Sequence, residues 1–248
     1  MTTIYILWLR QLKRYVRSKA RILGSLGQPL LFLLVFSFGF GPVFQKAGEG
    51  SYFQFLTPGI IVMSIIFTAL FSGIEIIWDR QFGFLKETLV APVSRLEIMI
   101  GRTLGGATVA IIQGVFIFII SLMVGFEISN PWLLPLFFVF LFLTALLFTA
   151  VGTAIASLME DMHGFQLIMN FLIMPLFFLS GAFFPIENLP KAANLIIKIN
   201  PLSYGVDGIR GTLIGASSFG MTFDLLILGL ITLVSLSIGG YLFSKIQI

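Results

Sequence analysis

Residues 134–147 read LPLFFVFLFLTALL. The run has no charge, a single hydroxyl at Thr144, and no alternation of apolar and polar positions. A strand of a membrane β-barrel alternates, because one face meets lipid and the other a polar lumen. A helix crossing the hydrocarbon core needs about 20 mostly apolar residues in a row. Extended to its polar ends, the run covers 132–159, which predicts a membrane-spanning helix. Five further stretches satisfy the same criterion, at 26–44, 56–78, 102–126, 164–184 and 223–243. The expectation is an all-α, polytopic membrane protein with six spans.

Composition agrees. Asp, Glu, Lys and Arg make up 10% of the 248 residues, against about 25% in a soluble domain. Hydrophobic residues reach 58%, and 28 residues are Phe. A water-soluble domain of this length exposes too much surface to hide that apolar area. A soluble enzyme or a nucleic-acid-binding module is thereby excluded as the body of the chain. There is no cysteine, hence no disulfide, thiolate metal site or Cys nucleophile.

The loops between the predicted spans are short, so Lys and Arg report orientation. Eleven lie on one side: Arg10, Lys13, Arg14, Arg17, Lys19, Arg21, Arg80, Lys86, Arg95, Arg102 and Lys245. Four lie on the other: Lys46, Lys191, Lys198 and Arg210. Both termini are expected in the cytoplasm, as an even number of spans also requires.

Residues 1–25 precede the first span. Their basic residues lie within and after the first apolar stretch, with no small-residue cleavage site, so they do not read as a signal peptide. On a helical wheel Arg10, Lys13, Arg14, Arg17 and Arg21 share an arc of about 100°, opposite Tyr5, Trp8, Leu9, Leu12, Val16 and Leu23. Lys19 alone breaks the pattern. The expectation is an amphipathic helix in the headgroup layer. It acts as a topology signal, or also braces a cytoplasmic partner. Residues 26–248 are expected to form a six-helix transmembrane domain.

Two segments between spans carry more apolar residues than a solvated loop uses. Residues 79–97 read DRQFGFLKETLVAPVSRLE. Phe82, Leu85 and Leu89 sit at i, i+3 and i+7, one face of a short helix that Pro92 ends. Such a face fits a groove on another protein, or lies flat on the membrane. Residues 180–211 read SGAFFPIENLPKAANLIIKINPLSYGVDGIRG. Three prolines break it too often for a span. It predicts, over 184–215, a pair of short helices dipping into the outer leaflet, where irregular backbone needs cover from protein or a cavity. The charges Glu187, Lys191, Lys198, Asp207 and Arg210 then lie at the outer surface or in an internal cavity. The pair is a structural plug, or a gate made by Phe184, Pro185, Asn200, Pro201 and Tyr204.

Polar residues inside spans rarely face lipid. In span two Thr57, Ser64, Thr68, Ser72 and Glu75 fall within about 80° of one another, with Ile65 on the lipid side. In span five Gln166, Asn170, Phe177, Ser180 and Gly181 share a face. Either pattern serves helix packing through small and hydroxyl residues, or lines a translocation path. Other chemistry is missing from the sequence. No G-x-x-x-x-G-K-[ST] occurs, so ATP has no P-loop here. His163 is the sole histidine and follows Glu160 and Asp161; it reads as an interfacial residue rather than a metal ligand. No acidic pair is evident within the spans for a proton relay, and Glu75 belongs at the cytoplasmic interface beside Asp79.

Several pieces taken together resemble the type-2 ABC transporter permeases, the membrane subunits of drug, polysaccharide and multidrug exporters. They are Arg80, Gly83-Phe84-Leu85-Lys86-Glu87-Thr88-Leu89 and Pro92-Val93-Ser94-Arg95; then Ser180-Gly181, Phe184-Pro185 and Leu189-Pro190; then Asn200-Pro201-Leu202-Ser203-Tyr204 and Arg210. The resemblance covers nearly the whole chain. It implies that residues 79–97 hold a coupling helix docking on an ABC ATPase subunit, with contacts among Arg80, Phe82, Gly83, Phe84, Leu85, Lys86, Glu87, Leu89, Pro92 and Arg95. It implies that the N-terminal helix is a connecting helix and the outer pair is re-entrant. Two permease chains, identical or different, would face each other with two ATPase copies. Thr57, Ser64, Thr68, Ser72, Gln166, Asn170, Phe177 and Ser180 would line the path. ATP and Mg would bind the partner and no cofactor this chain. The implied function is export of an amphiphilic drug, lipid or peptide across a prokaryotic plasma membrane. A channel or secondary carrier independent of ATP, or a membrane scaffold, is the alternative from another class.

Overall fold

The computed structural model describes residues 2–46, 50–185 and 190–246, and of residues 21, 192 and 193 the backbone alone. Glu187 and Leu189 lie outside the described residues, as does the side chain of Arg21. Every regular element among the described residues is helical. In chain order these are α1 (Thr2–Arg17), α2 (Lys19–Lys46), α3 (Tyr52–Phe71), α4 (Ile74–Gln81), α5 (Phe84–Val90), α6 (Arg95–Val124), α7 (Leu134–Ser157), α8 (Met162–Phe178), α9 (Lys191–Ile199), α10 (Pro201–Ile214) and α11 (Met221–Ser244).

Among the described residues five helical stretches are long and apolar enough to cross a membrane: Ile22–Lys46, Tyr52–Gln81, Arg95–Val124, Pro131–Ser157 and Met221–Ser244. The shortest, with 24 residues, is about 36 Å long at 1.5 Å per residue. The stretch expected as span five is a helix only from Met162 to Phe178, about 25 Å, short of a hydrocarbon core of about 30 Å. Pro175 removes a helical N–H there. The chain then turns at Gly181, whose φ of 76° suits glycine.

Local sequence fixes the helix ends. Ser94 accepts the Glu97 N–H at 3.1 Å to start α6, and Gly125, at φ 111°, stops it. Asn200 caps α10 through the Leu202 N–H, with Pro201 in the first turn and Gly215 at φ 75° past the end. Helix α3 is the hub. Leu56 to Ile66 are all buried, between α2, α6, α7 and α10. Where α3 gives way to α4, its backbone meets that of α7. A Cβ on Gly73 would lie 2.4 Å from the Gly152 carbonyl oxygen, and one on Gly152 2.5 Å from that of Leu70. Small residues permit this crossing.

Helix α1 lies along α6. Cβ atoms at Gly101 and Gly105 would fall 3.0 Å and 2.6 Å from Leu7 and Gln11. The Trp8 Nε1–H donates to Thr108 Oγ1 at 3.0 Å, and Tyr15 is buried where Gln113 donates to its hydroxyl. The helix therefore has three sectors rather than two. Ile4, Leu7, Trp8, Gln11 and Tyr15 turn to the protein, Tyr5 and Val16 remain exposed, and the basic arc lies between. The helix ends at Arg17, and Lys19, which broke the expected arc, opens α2.

A buried carboxylate closes this end of the bundle. Asp79 accepts from Arg10 through both oxygens, at 3.0 and 3.2 Å, and pairs with Arg102 at 2.6 Å. One turn earlier Glu75, also buried, pairs with Arg14 at 3.7 Å. The Arg10 guanidinium also stacks on Phe84 at 3.7 Å from the ring centroid. Helices α1, α4, α5 and α6 thus converge on one acidic side chain. At the opposite end Phe183, 1% exposed, is the centre of an aromatic cluster. Its ring lies 4.9 Å from Phe36, 5.0 Å from Phe177 and 5.1 Å from Phe178. Its carbonyl accepts the Tyr52 hydroxyl at 3.1 Å.

Two stability predictions follow from these anchors. Asp79→Ala leaves Arg10 and Arg102 without a carboxylate and should cost about 3–5 kcal/mol, seen as early loss of the monodisperse peak when detergent-solubilised protein is heated. Phe183→Ala should cost about 3–5 kcal/mol in the same assay, whereas Phe184→Ala, at a position 53% exposed, should change little.

Candidate functional site

The segment expected to couple to a partner, residues 79–97, is an elbow. Helix α4 ends at Gln81, Phe82 follows it, and Gly83 reverses the chain at φ 82° to open α5. Helix α5 stops at Val90. Ala91 takes ψ 146°, as a residue before proline must, so Pro92 ends the helix as the sequence predicts. The expected apolar face does not exist as drawn. Phe82 sits on the α4 side of the elbow, 71% exposed, and Leu85 is 2% exposed and part of the core. Leu89 packs against that core. The Gly83 reversal breaks the helical register that the i, i+3, i+7 spacing assumed. The outward surface is instead Phe82, Lys86, Glu87 and Val90, the last 81% exposed.

The two arginines flanking the elbow hold helix ends. Arg80 donates to the carbonyls of Met159 and Ser157 at 2.9 and 3.2 Å, just past and at the end of α7. Arg95 donates to those of Ser244 and Ile246 at 2.7 and 2.8 Å, at the end of α11. Cations at helix C-termini satisfy carbonyls that have no intrahelical donor.

The expected path residues separate into two groups. Thr57 and Ser64 are buried and return their hydroxyls to their own helix, at the carbonyls of Phe53 (2.8 Å) and Ile61 (2.7 Å). Ser72 does the same to Ala69 at 2.6 Å. Thr68 borders a small cavity of about 180 Å³ with Ser25, Gln28 and Phe71. Ile65, expected on the lipid side, is fully buried against Gly114. In α8, Gln166 and Asn170 are exposed while Phe177 is buried, as is Ser180 in the turn that follows. The buried positions Phe165, Met169, Ile173 and Phe177 recur every four residues. At 100° per residue such a stripe advances about 40° per step around the helix. The contact line winds, so residues that share a wheel sector part company along the axis.

The segment expected at the outer leaflet is organised by side chains that hold main chain. Asn200 is buried and donates to the Leu176 and Leu179 carbonyls at 2.6 and 2.9 Å, tying the end of α8 to the start of α10. Pro201 is the first residue of α10. Tyr204 is buried, its hydroxyl on the Lys198 carbonyl and its ring 5.5 Å from Phe219. Arg210 is buried. It donates to the Gly181 carbonyl at 3.0 Å and lies over the Phe55 ring at 4.0 Å. Phe184 and Pro185 are more accessible.

Sequence reasoning passed over two features. Phe183, rather than its neighbour Phe184, is the keystone of the aromatic cluster; nothing in FF distinguishes them before the turn is known. Asp224, in the first turn of α11, is fully buried, and its carboxyl lies against that of Asp207. Asp207 in turn accepts from Ser217 Oγ at 2.8 Å and from the Ser218 and Phe219 N–H groups at 2.9 Å. An acidic pair absent from any single span thus forms between two helices, at a helix end. At the start of α8, Asp161 accepts the Gly164 and His163 N–H groups. The Gly164 N–H first, then His163, holds its carboxyl below the usual carboxylate range. Asp161 is thus a helix cap, and among the described residues no cluster of metal-ligating side chains occurs.

Comparison with known proteins bears on this arrangement. The ABC-2 type transporter family matches residues 2–214. The chain is 30% identical to the transport permease ycf38 of Cyanophora paradoxa over 98% of this chain and 87% of that one. It is 31% identical to nodulation protein J of Rhizobium leguminosarum bv. viciae over 79% and 76% of the two chains. It is 27% identical to the inner membrane transport permease YadH of Escherichia coli K12 over 84% and 82%. With its apolar helices and its short α5 elbow, the chain belongs to the ABC-2 type transporter family of membrane permeases.

Proposed function

We propose that this chain is the membrane subunit of an ATP-driven exporter, in which a separate ABC ATPase hydrolyses ATP with Mg and α5 receives the motion. The observation that carries this reading is the elbow surface of Phe82, Lys86, Glu87 and Val90. Two large apolar side chains there point away from the bundle while Leu85 beneath them anchors the helix. An apolar surface on a short, firmly seated helix fits a groove on a partner.

Six spans complete the topology, with α8 and the turn after it crossing as one unit and α9–α10 as a pair within the outer leaflet. Both termini are cytoplasmic, as the eleven-to-four division of Lys and Arg supports. The membrane is the prokaryotic plasma membrane; YadH, described as an inner membrane transport permease, favours that location. Two permease chains pair across α8. Its exposed side carries Leu167 and Phe171 beside Gln166 and Asn170, a mixed apolar and polar surface that one subunit leaves uncovered. The path runs between the two chains, along that surface. Its sparse charge suits an amphiphilic drug, lipid or peptide.

Phe82→Asp and Val90→Asp should each weaken ATPase binding. Burial of a large apolar side chain is worth about 1.5–3 kcal/mol, or roughly 10- to 150-fold in affinity. Co-purification of the ATPase and transport in vesicles are the measurements; full assembly and transport in both variants would remove α5 from the coupling role. Leu85→Asp should instead abolish folded protein. For the path, Asn170→Trp should alter substrate-stimulated ATPase activity severalfold, while Leu230→Trp, on the exposed side of α11, should leave it unchanged. Equal effects would assign Asn170 to packing.

A further inference from the structure

Where α3 begins and α10 ends, at the end of the bundle far from Asp79, lies a cavity of about 320 Å³, at the small end of the range for ligand sites. No residue of the elbow surface or of the exposed side of α8 lines it. Phe44, Phe55 and Ile214 supply apolar lining, and Gln54 and Ser218 polar lining. Among the described residues Arg210 is the only charged side chain that borders it. Arg210 is 3% exposed. A guanidinium has five N–H donors, yet every hydrogen bond Arg210 makes among the described residues leaves from Nη2. These go to the main-chain carbonyls of Gly181, Ala182 and Phe55 at 3.0, 3.4 and 3.5 Å. Nε has no partner, and Nη1 donates to none of these groups. Asp207, one turn earlier on α10, does not complete the set. Its oxygens take the Ser217 hydroxyl and the Ser218 and Phe219 N–H groups. A buried cation with idle donors is costly unless an acceptor comes to it.

We infer that this cavity binds the carboxylate of a small organic monoanion, paired with the Arg210 guanidinium, with the apolar body of the ligand against Phe44, Phe55 and Ile214. The guanidinium lies over the Phe55 ring, 4.0 Å from its centroid, so one face is covered and its N–H groups remain for an acceptor in its own plane. A planar carboxylate meets such a fork with two parallel hydrogen bonds. The Ser218 hydroxyl offers a further donor. Charge sets the class. Asp207 and Asp224 already stand on the α10–α11 side, and a dianion such as phosphate adds repulsion from them. A neutral ligand leaves the cation unmatched. The inference does not depend on the export reading or on which way the chain faces, because its test reads binding alone.

The probe is radiolabelled benzoate, added to the full chain in phosphatidylcholine nanodiscs, which leave both faces open, and read by scintillation proximity. Binding should saturate. Unlabelled acetate should displace the probe, inorganic phosphate should do so only weakly, and benzamide, the neutral isostere, should not. Arg210→Gln should weaken binding about tenfold or more. Arg210 also holds the Gly181 carbonyl, so a second variant separates binding from folding. Ala216 lines the cavity and is exposed; Ala216→Trp fills that space and should weaken binding by a similar factor with the thermal transition unchanged. Leu230→Trp, on the exposed side of α11, should keep both. Four results would overturn the inference. They are binding that does not saturate, displacement by benzamide as effective as by acetate, displacement by phosphate as effective as by acetate, and full affinity in Ala216→Trp.

Discussion

The Asp79 carboxylate is the constraint on which this end of the molecule depends. It is buried, it meets Arg10 and Arg102 from two helices, and the same Arg10 stacks on Phe84 of a third. A buried charge is tolerable only when partnered on several sides. That requirement fixes where α1 and α6 lie relative to α4, and it sets the direction in which α5 leaves the bundle. The exposed surface of the elbow is therefore placed by electrostatics, although two of its side chains, Phe82 and Val90, are apolar.

Length and charge were enough to read most of the fold. Runs such as 134–147 could be nothing but helix in a membrane, and Pro92, Gly125 and Gly215 mark ends that the structure keeps. Helix α8 was the exception, because hydropathy continues through Leu179–Phe184 while the backbone turns. Apolarity does not reveal a turn whose carbonyls are satisfied from a distant helix, here by Arg210.

The functional surfaces were less legible, for geometric reasons. A helical wheel assumes one uninterrupted helix and a straight line of contact. Gly83 violates the first assumption at the elbow, and the winding stripe of α8 violates the second. Leu85 consequently turns into the core while Phe82 stays on the outside, and Gln166 parts from Phe177. Hydroxyls in α3 looked like a polar lining. Thr57, Ser64 and Ser72 spend their hydrogen bonds on their own backbone, as Ser and Thr in membrane helices commonly do.

Arg80 and Arg95 stand on either side of α5, and each grips the carboxyl end of a different span. The elbow is thereby yoked to α7 on one flank and to α11 on the other. Those two helices also run against each other along their length. A force applied to α5 has no slack loop in which to dissipate. It reaches a pair of helices already fastened together, and the lever moves the frame.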